Sequence, residues 1–391
     1  VIKYFKRFIT FRGKYEYVKI RLNYLFQYLI FLKLKNVNFF SEKISFLCLD
    51  LNKRETVFVT GASGLVGSHL VMLLLEKGYH VLALVRSENH KTLYSKFSKW
   101  YNKPSDYFDQ IEWVKGSFSD IDIIIETLKK VTTVFHCGAK VSFHPRDAKE
   151  LYVNNLKATR DLISLCVELG VKNFIYTSST AAIGEDFYSE KGINETAEWK
   201  KEKHTTNYSV SKHLAELEVW RGMEEGLNVG IINPSVIIGP GLWGKSSTSL
   251  IQMIANGITF YTLGSNGFVD VRNVTEALVK VHEQKKYGHR YLVVSENLIF
   301  RDLFSLIADS LTVKRPSIYA NKFLSAIGWR VIRFIELFTQ KRGHLTKETA
   351  KSGHVLKKYD NSKAQRELNI GFIPVADSVK HSSDCYLSET S

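Results

Sequence analysis

Residues 56–67, TVFVTGASGLVG, constrain the fold of this chain more than any other stretch. Five β-branched or aromatic residues in a row suit a buried strand. Gly61, Gly64 and Gly67 follow at spacing three, and an apolar helical run starts at Leu65. Strand, glycine turn and helix in that order bring backbone N–H groups and a helix N-terminus to one point, which suits a pyrophosphate. Gly61 allows the tight turn, Gly64 the approach of phosphates, and Gly67 the packing of helix on strand.

The pattern after the turn alternates. Residues 65–77 carry apolar side chains on every face and stop at Gly78, as a buried helix does. Residues 79–85 read as a buried parallel strand ending at Arg86. Strands are then expected at 111–115, 133–139, 173–179 and 229–238, with helices at 121–130, 148–169 and 208–225. This order predicts an α/β, Rossmann-type, doubly wound parallel sheet, with ligands beyond the carboxyl ends of the strands. Gly61, Arg86, Ala139 and Ser179 all fall at those ends. An acidic residue at the position of Arg86 suits a ribose 2′-hydroxyl, whereas an arginine suits a 2′-phosphate. Arg86 therefore points to NADP, and Glu88 close by leaves NAD open.

The 391 residues are 45% hydrophobic and 24% charged, ordinary for a globular protein. Cys48, Cys137, Cys166 and Cys385 form no CxxC pair, so the sequence predicts no disulfide framework and no metal, and a reducing cytoplasm fits best. The net charge of +15 is unevenly spread. Residues 1–54 hold 12 Lys/Arg against 3 Asp/Glu, and the remaining 337 residues hold 42 against 36. Without a dense basic stripe in the body, nucleic-acid binding is not expected.

Residues 1–54 form a basic, aromatic leader. Its longest apolar run, 22–32, is about half the roughly 20 residues that span a bilayer. A secretory signal is poorly supported, and an amphipathic surface helix stays open. With no methionine before Met72, the expectation is a translated upstream region, with synthesis starting near Leu51.

Tyr208 and Lys212 stand one helical turn apart, after a strand that ends in Ser178-Ser179. A nearby ammonium favours the phenolate, so Lys212 is expected to lower the Tyr208 pKa. The phenol can then exchange a proton with a carbonyl or alcohol oxygen that a serine hydroxyl polarises. A bound cofactor would supply the hydride.

In these motifs the chain resembles the extended short-chain dehydrogenases/reductases, from about residue 56 to 387. TGxxGxxG is 60–67, the strand-end serine matches Ser179 with Ser178 as fallback, and YxxxK is Tyr208 and Lys212. The NVxGT-like pattern is 155–159 and the HxAA-like turn 136–139. The resemblance implies that Asn155 helps hold a proton relay and that Lys212 also binds the nicotinamide ribose. It implies cofactor contacts from Gly61, Ser63, Gly64, Leu65, Val66, Gly67, Arg86, Ala139, Tyr208, Lys212, Pro234 and Val236. Residues 233–241, NPSVIIGPG, and 267–274, GFVDVRNV, look most like the dihydroflavonol 4-reductase and 3β-hydroxysteroid dehydrogenase branch. Ser117 and Asn273 depart from the usual pattern: an adenine contact at Ser117 would come from backbone, and Asn273 is expected to cap a helix.

Beyond Gly241, helices are expected at 246–256, 274–284, 302–311, 323–338 and 377–387, and a strand at 290–294. The resemblance places 55–240 in the cofactor-binding domain, with 268–296 returning to it. Residues 241–267 and 297–391 then form a smaller, mostly helical substrate lobe. Trp243, Tyr261 and Phe268 are candidate wall residues. The apolar stripe in 323–338 is read as a lid helix in preference to a membrane contact. The expected activity is reduction of a ketone or aldehyde on a medium-sized, partly apolar substrate, or oxidation of the matching alcohol. A nucleotide-sugar epimerase or dehydratase with tightly bound NAD is the alternative. A homodimer would be typical of the family.

Overall fold

The computed structural model describes residues 54–184, 190–202, 205–339 and 345–390, within a compact unit Glu55–Ser391. The leader up to residue 53, and every expectation placed on it, lies outside the described residues.

The expected βα alternation is present. β1 (Thr56–Thr60) leads through the glycine turn to α1 (Leu65–Glu76) and β2 (His80–Val85). Then come α2 (Asn89–Trp100), β3 (Glu112–Lys115), α3 (Ile121–Leu128) and β4 (Thr133–His136). α4 (Ala148–Leu151) runs through a π-helical segment, Tyr152–Lys157, into α5 (Ala158–Glu168). β5 (Asn173–Thr177), α6 (Asn207–Glu224) and β6 (Asn228–Pro234) complete this part. β10 (His289–Val293) joins the sheet later and pairs with β6.

The seven strands are all parallel, in the order β10-β6-β5-β4-β1-β2-β3. The direction of winding reverses between β1 and β4, and the crevice at their carboxyl ends is where such sheets bind ligands. Alternation along β1 shows how both faces are filled. Val57 and Val59 pack with Leu70, Leu74 and Leu278, while Phe58 packs with Leu162 and Ile163 on the other face.

α2 was not anticipated. Leu93, Tyr94 and Phe97 are buried, but lysines and serines between them weaken the apolar period. The strand expected at 229–238 is two. β6 stops at Pro234, and β7 (Val236–Ile238) leaves the main sheet. It pairs with β9 (Ser265–Asp270), which pairs with β11 (Glu296–Ile299). Around this small sheet lie α7 (Ser249–Ala255), α9 (Phe300–Ser310) and a short pair of strands, β8 (Phe260–Tyr261) and β12 (Ile318–Tyr319), whereas α8 (Val271–Glu283) packs beside α1 on the main sheet. α10 (Lys322–Thr339), α11 (Lys347–Ser352), α12 (Ser362–Leu368) and α13 (Val375–Thr390) end the described chain.

Two expectations for this part are corrected. Phe268 is fully buried among Leu303, Ile307 and Val379, and Trp243 lies between Trp100 and Tyr386, so both are packing residues, not pocket walls. α10 does not pack its apolar stripe inward. Its inward face carries buried Ser325 and Glu336, while Phe323 and Phe338 are about three-quarters exposed (75% and 74%). Among the described residues no helix is long and apolar enough to cross a membrane.

Candidate active site

The glycine turn fits a phosphate-bearing ligand. Gly61 has φ +70°, and a Cβ there would lie 2.6 Å from the backbone nitrogen of Gly138, across the crevice at the end of β4. A Cβ on Gly67 would lie 2.1 Å from the Gly61 carbonyl oxygen. At Gly64 the only near neighbour would be that same oxygen, at 3.2 Å, so its outer side is open to an approaching group. Gly64 is also the N-cap of α1 and no side chain caps the helix. Its first N–H groups therefore remain for an anion. Ser63, Leu65 and Val66 surround this point. The turn is held from behind by the Tyr94 hydroxyl, which donates to the Ala62 carbonyl at 2.9 Å.

Arg86 is exposed at the end of β2 and, among the described residues, makes no hydrogen bond or ion pair. Glu88 is engaged, by Lys115 at 2.6 Å and Lys91 at 2.9 Å. These lysines hold its carboxyl down to about 2. The acid that could accept from a ribose is thus tied up, while three cations gather around the strand end. Ser117 donates both its N–H and its hydroxyl to Asp120 (2.7 and 2.9 Å).

Ser179 lies beyond β5, and Tyr208 is in the first turn of α6, whose N-cap is Thr206. The two side chains lie close enough that Ser179 opposes the rise in the Tyr208 pKa. The Ser179 oxygen also accepts from the Ala181 N–H, and Ser209 anchors α6 to the Ala181 carbonyl at 2.7 Å. The fallback Ser178 is committed elsewhere. Its hydroxyl donates to buried Glu216 at 2.6 Å, which also accepts from Asn233 and Arg290 (2.8 and 3.0 Å).

Lys212 corrects one expectation. Its ammonium is fully buried and donates to the Tyr176 hydroxyl at 2.7 Å and the Thr177 carbonyl at 2.8 Å. Burial lowers its pKa to about 7, with Glu216 opposing. Tyr208 does not gain from it: burial raises the Tyr208 pKa, opposed by Ser179. A charge that is itself desolvated and directed at another phenol does little to favour phenolate at Tyr208.

Behind this pair lies a buried polar chain that sequence reasoning missed. Tyr176 stacks on His136 at 5.5 Å, and Thr159 donates to the Asn155 carbonyl at 2.6 Å. With its proton used there, Thr159 can only accept from His136 Nε2 at 3.0 Å. His136 is then the neutral Nε2–H tautomer, and its Nδ1 accepts from the Thr60 hydroxyl at 2.6 Å. Burial pushes the His136 pKa down to about 3, with Lys212 adding to the shift. The histidine of the 136–139 turn and the Thr159 that ends the NVxGT-like pattern were the visible signals for this chain; Tyr176 read only as a strand residue.

Asn155 sits in the π-helical segment, a frequent setting for functional side chains. Its amide donates to the Lys140 carbonyl and to Ser211 (2.9 and 3.0 Å), and its oxygen accepts from Lys140 N at 2.7 Å. It thereby joins the loop after β4 to the Tyr208 helix, since Ser211 donates to the Tyr208 carbonyl. In the same loop the Phe143 ring meets Tyr208 at 5.7 Å, a contact with no signal in the sequence. Ala139 is exposed at the start of this loop, and Pro234 and Val236 flank the break between β6 and β7. Asn273 is not the expected cap. Asp270 caps α8, and buried Asn273 instead bonds the backbone of Gly371 and Ile373 (3.0 and 2.8 Å). Among the described residues no cluster could hold a metal ion.

Residues 57–294, more than half of the chain, match the model of the NAD dependent epimerase/dehydratase family. The chain belongs to this family. Among curated relatives it is similar to a putative dihydroflavonol 4-reductase of Synechocystis, 30% identical over 270 residues that cover 67% of this chain and 74% of the relative. It is also similar to the sterol demethylase protein B of Methylococcus capsulatus, 25% identical over 82% of this chain and 94% of that one. Among solved structures, gox2253 superposes with a TM-score of 0.69 at 26% identity, covering 86% of this chain and 99% of gox2253. As an epimerase/dehydratase-family member with named reductases among its relatives, the protein is an NAD(P)-dependent oxidoreductase acting on a small molecule.

Proposed function

We propose that this family member is an NADPH-dependent reductase of a ketone or aldehyde on a medium-sized, partly apolar substrate. The observation that carries this reading is the placing of Ser179, at the end of β5, beside Tyr208, whose phenol is held protonated by burial. A phenol of raised pKa is suited to give a proton to a developing alkoxide, the task of a reductase, rather than to take one from an alcohol. Ser179 donates to the same oxygen and orients it. Phe143 lies against Tyr208 and offers an apolar wall to the substrate.

A nicotinamide dinucleotide supplies hydride chemistry when bound. Gly61, Ser63, Gly64, Leu65, Val66 and Gly67 would hold its pyrophosphate. Arg86, with Lys91 and Lys115 nearby, would meet a 2′-phosphate, which favours NADP over NAD. Ala139, Pro234 and Val236 would flank the nicotinamide side. Lys212 would reach the ribose, positioned by Tyr176 and Thr177, and Asn155 would keep the β4 loop in register with α6. The sterol-related relative and the dihydroflavonol reductase both suit a ring-bearing apolar substrate.

Tyr208→Phe tests this reading. Turnover of carbonyl substrates with NADPH should fall by at least about a thousandfold, with NADPH binding retained. Unchanged turnover, or purification with firmly held NAD, would overturn it.

A further inference from the structure

We propose that α10 is a docking surface for an anionic lipid bilayer. The helix is built inside out. A soluble surface helix turns its apolar stripe to the core and its charges to water. Here Phe323, Ile327, Val331, Phe334, Ile335 and Phe338 lie on one exposed face, each between 43% and 75% accessible. The opposite face packs inward through Ser325, Gly328, Ile332 and Glu336, and Glu336 meets His144 at 3.3 Å. The apolar stripe is therefore a presented surface, not residue left over from packing.

Charge selects the occupant. Residues 314–351 hold nine Lys/Arg and two Asp/Glu, a net +7. The rest of 55–391 then holds 33 against 34, so this segment accounts for the whole positive charge of the body. Neither acid faces outward: Glu336 is buried and Glu348 half-buried. Lys322 and Arg330 are exposed beside the stripe, and Arg330 stacks on Trp329 at 4.6 Å. Apolar aromatics bordered by cations fit acyl chains under anionic headgroups. A second copy of the same face would meet its own positive charge. At 18 residues with three cations, α10 lies on a bilayer and does not span it.

The surface adjoins the candidate active site. His144, which touches α10, is next in sequence to Phe143, which touches Tyr208. On the reductase reading, docking would bring Tyr208 close to a lipid phase from which an apolar substrate could be drawn.

Flotation of the full chain with vesicles tests the proposal without measuring activity. Wild type should float with phosphatidylcholine vesicles containing about one third phosphatidylglycerol, and roughly tenfold less with pure phosphatidylcholine. Phe323→Ser/Phe334→Ser/Phe338→Ser should lower partition at least about tenfold, and Lys322→Gln/Arg330→Gln should lower it on anionic vesicles only. A thermal shift by NADPH in each variant checks the fold, and its loss in wild type would count against the reductase reading alone. Flotation unchanged by the phenylalanine substitutions would overturn the proposal, because another segment would then hold the membrane. So would equal flotation on neutral vesicles, no flotation at all, or a lipid-free dimer that the same substitutions dissociate.

Discussion

The ammonium of Lys212 is held 2.7 Å from the hydroxyl of Tyr176, a phenol on the neighbouring strand and not the one on its own helix. Its pKa is lowered to about 7 by burial, from an ordinary 10.5. Between pH 7 and 10.5 the unfolded chain carries the extra proton, so this group makes stability rise with pH across that window. Below pH 7 its cost is constant and full. Lys212→Met should therefore flatten the rise in melting temperature of the cofactor-free protein between pH 7 and pH 9. Thermal unfolding across that range checks this, and a slope with pH as steep as that of wild type would refute the account.

The two adjacent serines should separate cleanly. Ser179→Ala removes a hydroxyl beside Tyr208, which also caps the Ala181 N–H, and should lower kcat about a hundredfold with a smaller loss of stability than Ser178→Ala. Ser178→Ala strips one partner from the buried Glu216 carboxylate and should cost about 1–2 kcal/mol in urea unfolding. Its kcat should stay close to wild type. Steady-state kinetics and unfolding of both variants decide the matter, and the opposite pattern would make Ser178 the catalytic serine.

Arg86 sets the cofactor on the proposed reading. Arg86→Ala should raise the KM for NADPH by about tenfold or more and leave that for NADH nearly unchanged. Glu88 is occupied by Lys115 and Lys91, so Glu88→Gln should shift the preference little. A larger effect at Glu88 than at Arg86 would point to NAD.

Two buried histidines predict acid sensitivity. His136 is lowered to about 3 and His69 to about 4, both chiefly by burial. Above pH 6.5 neither folded nor unfolded form is charged and there is no cost. As pH falls from 6.5 to about 4 the unfolded chain takes up protons that the folded one refuses, so stability drops. The urea midpoint should fall over this range, and His69→Gln should reduce the fall.

Much of the fold was legible because its signals are local. The β1 run, three glycines at spacing three and stops at Gly78 and Gly170 each mark an element without help from distant chain. Ser179, Tyr208 and Asn155 were legible for the same reason. The errors lie where tertiary packing decides. Asn273 looked like a cap, but α8 starts three residues earlier than its apolar pattern, at Val271 after Asp270, and Asn273 serves the 371–373 backbone. Lys212 was one turn from Tyr208, yet a strand residue with no polar signature took its proton donors. α10 showed its apolar stripe in the sequence, but periodicity gives a stripe and not the direction it faces.

The π-helical segment at Tyr152–Lys157 places a counting rule on the chain. It holds one residue more than an α-helix would need over the same stretch. Any of its neighbours could change identity while the surplus stays. Deleting one residue there would let the α ladder close and turn Asn155 by about 100° relative to the rest of the helix. The Asn155 amide would leave Lys140 and Ser211 together. For this helix, length is a protected quantity: a one-codon loss in the segment would displace the amide.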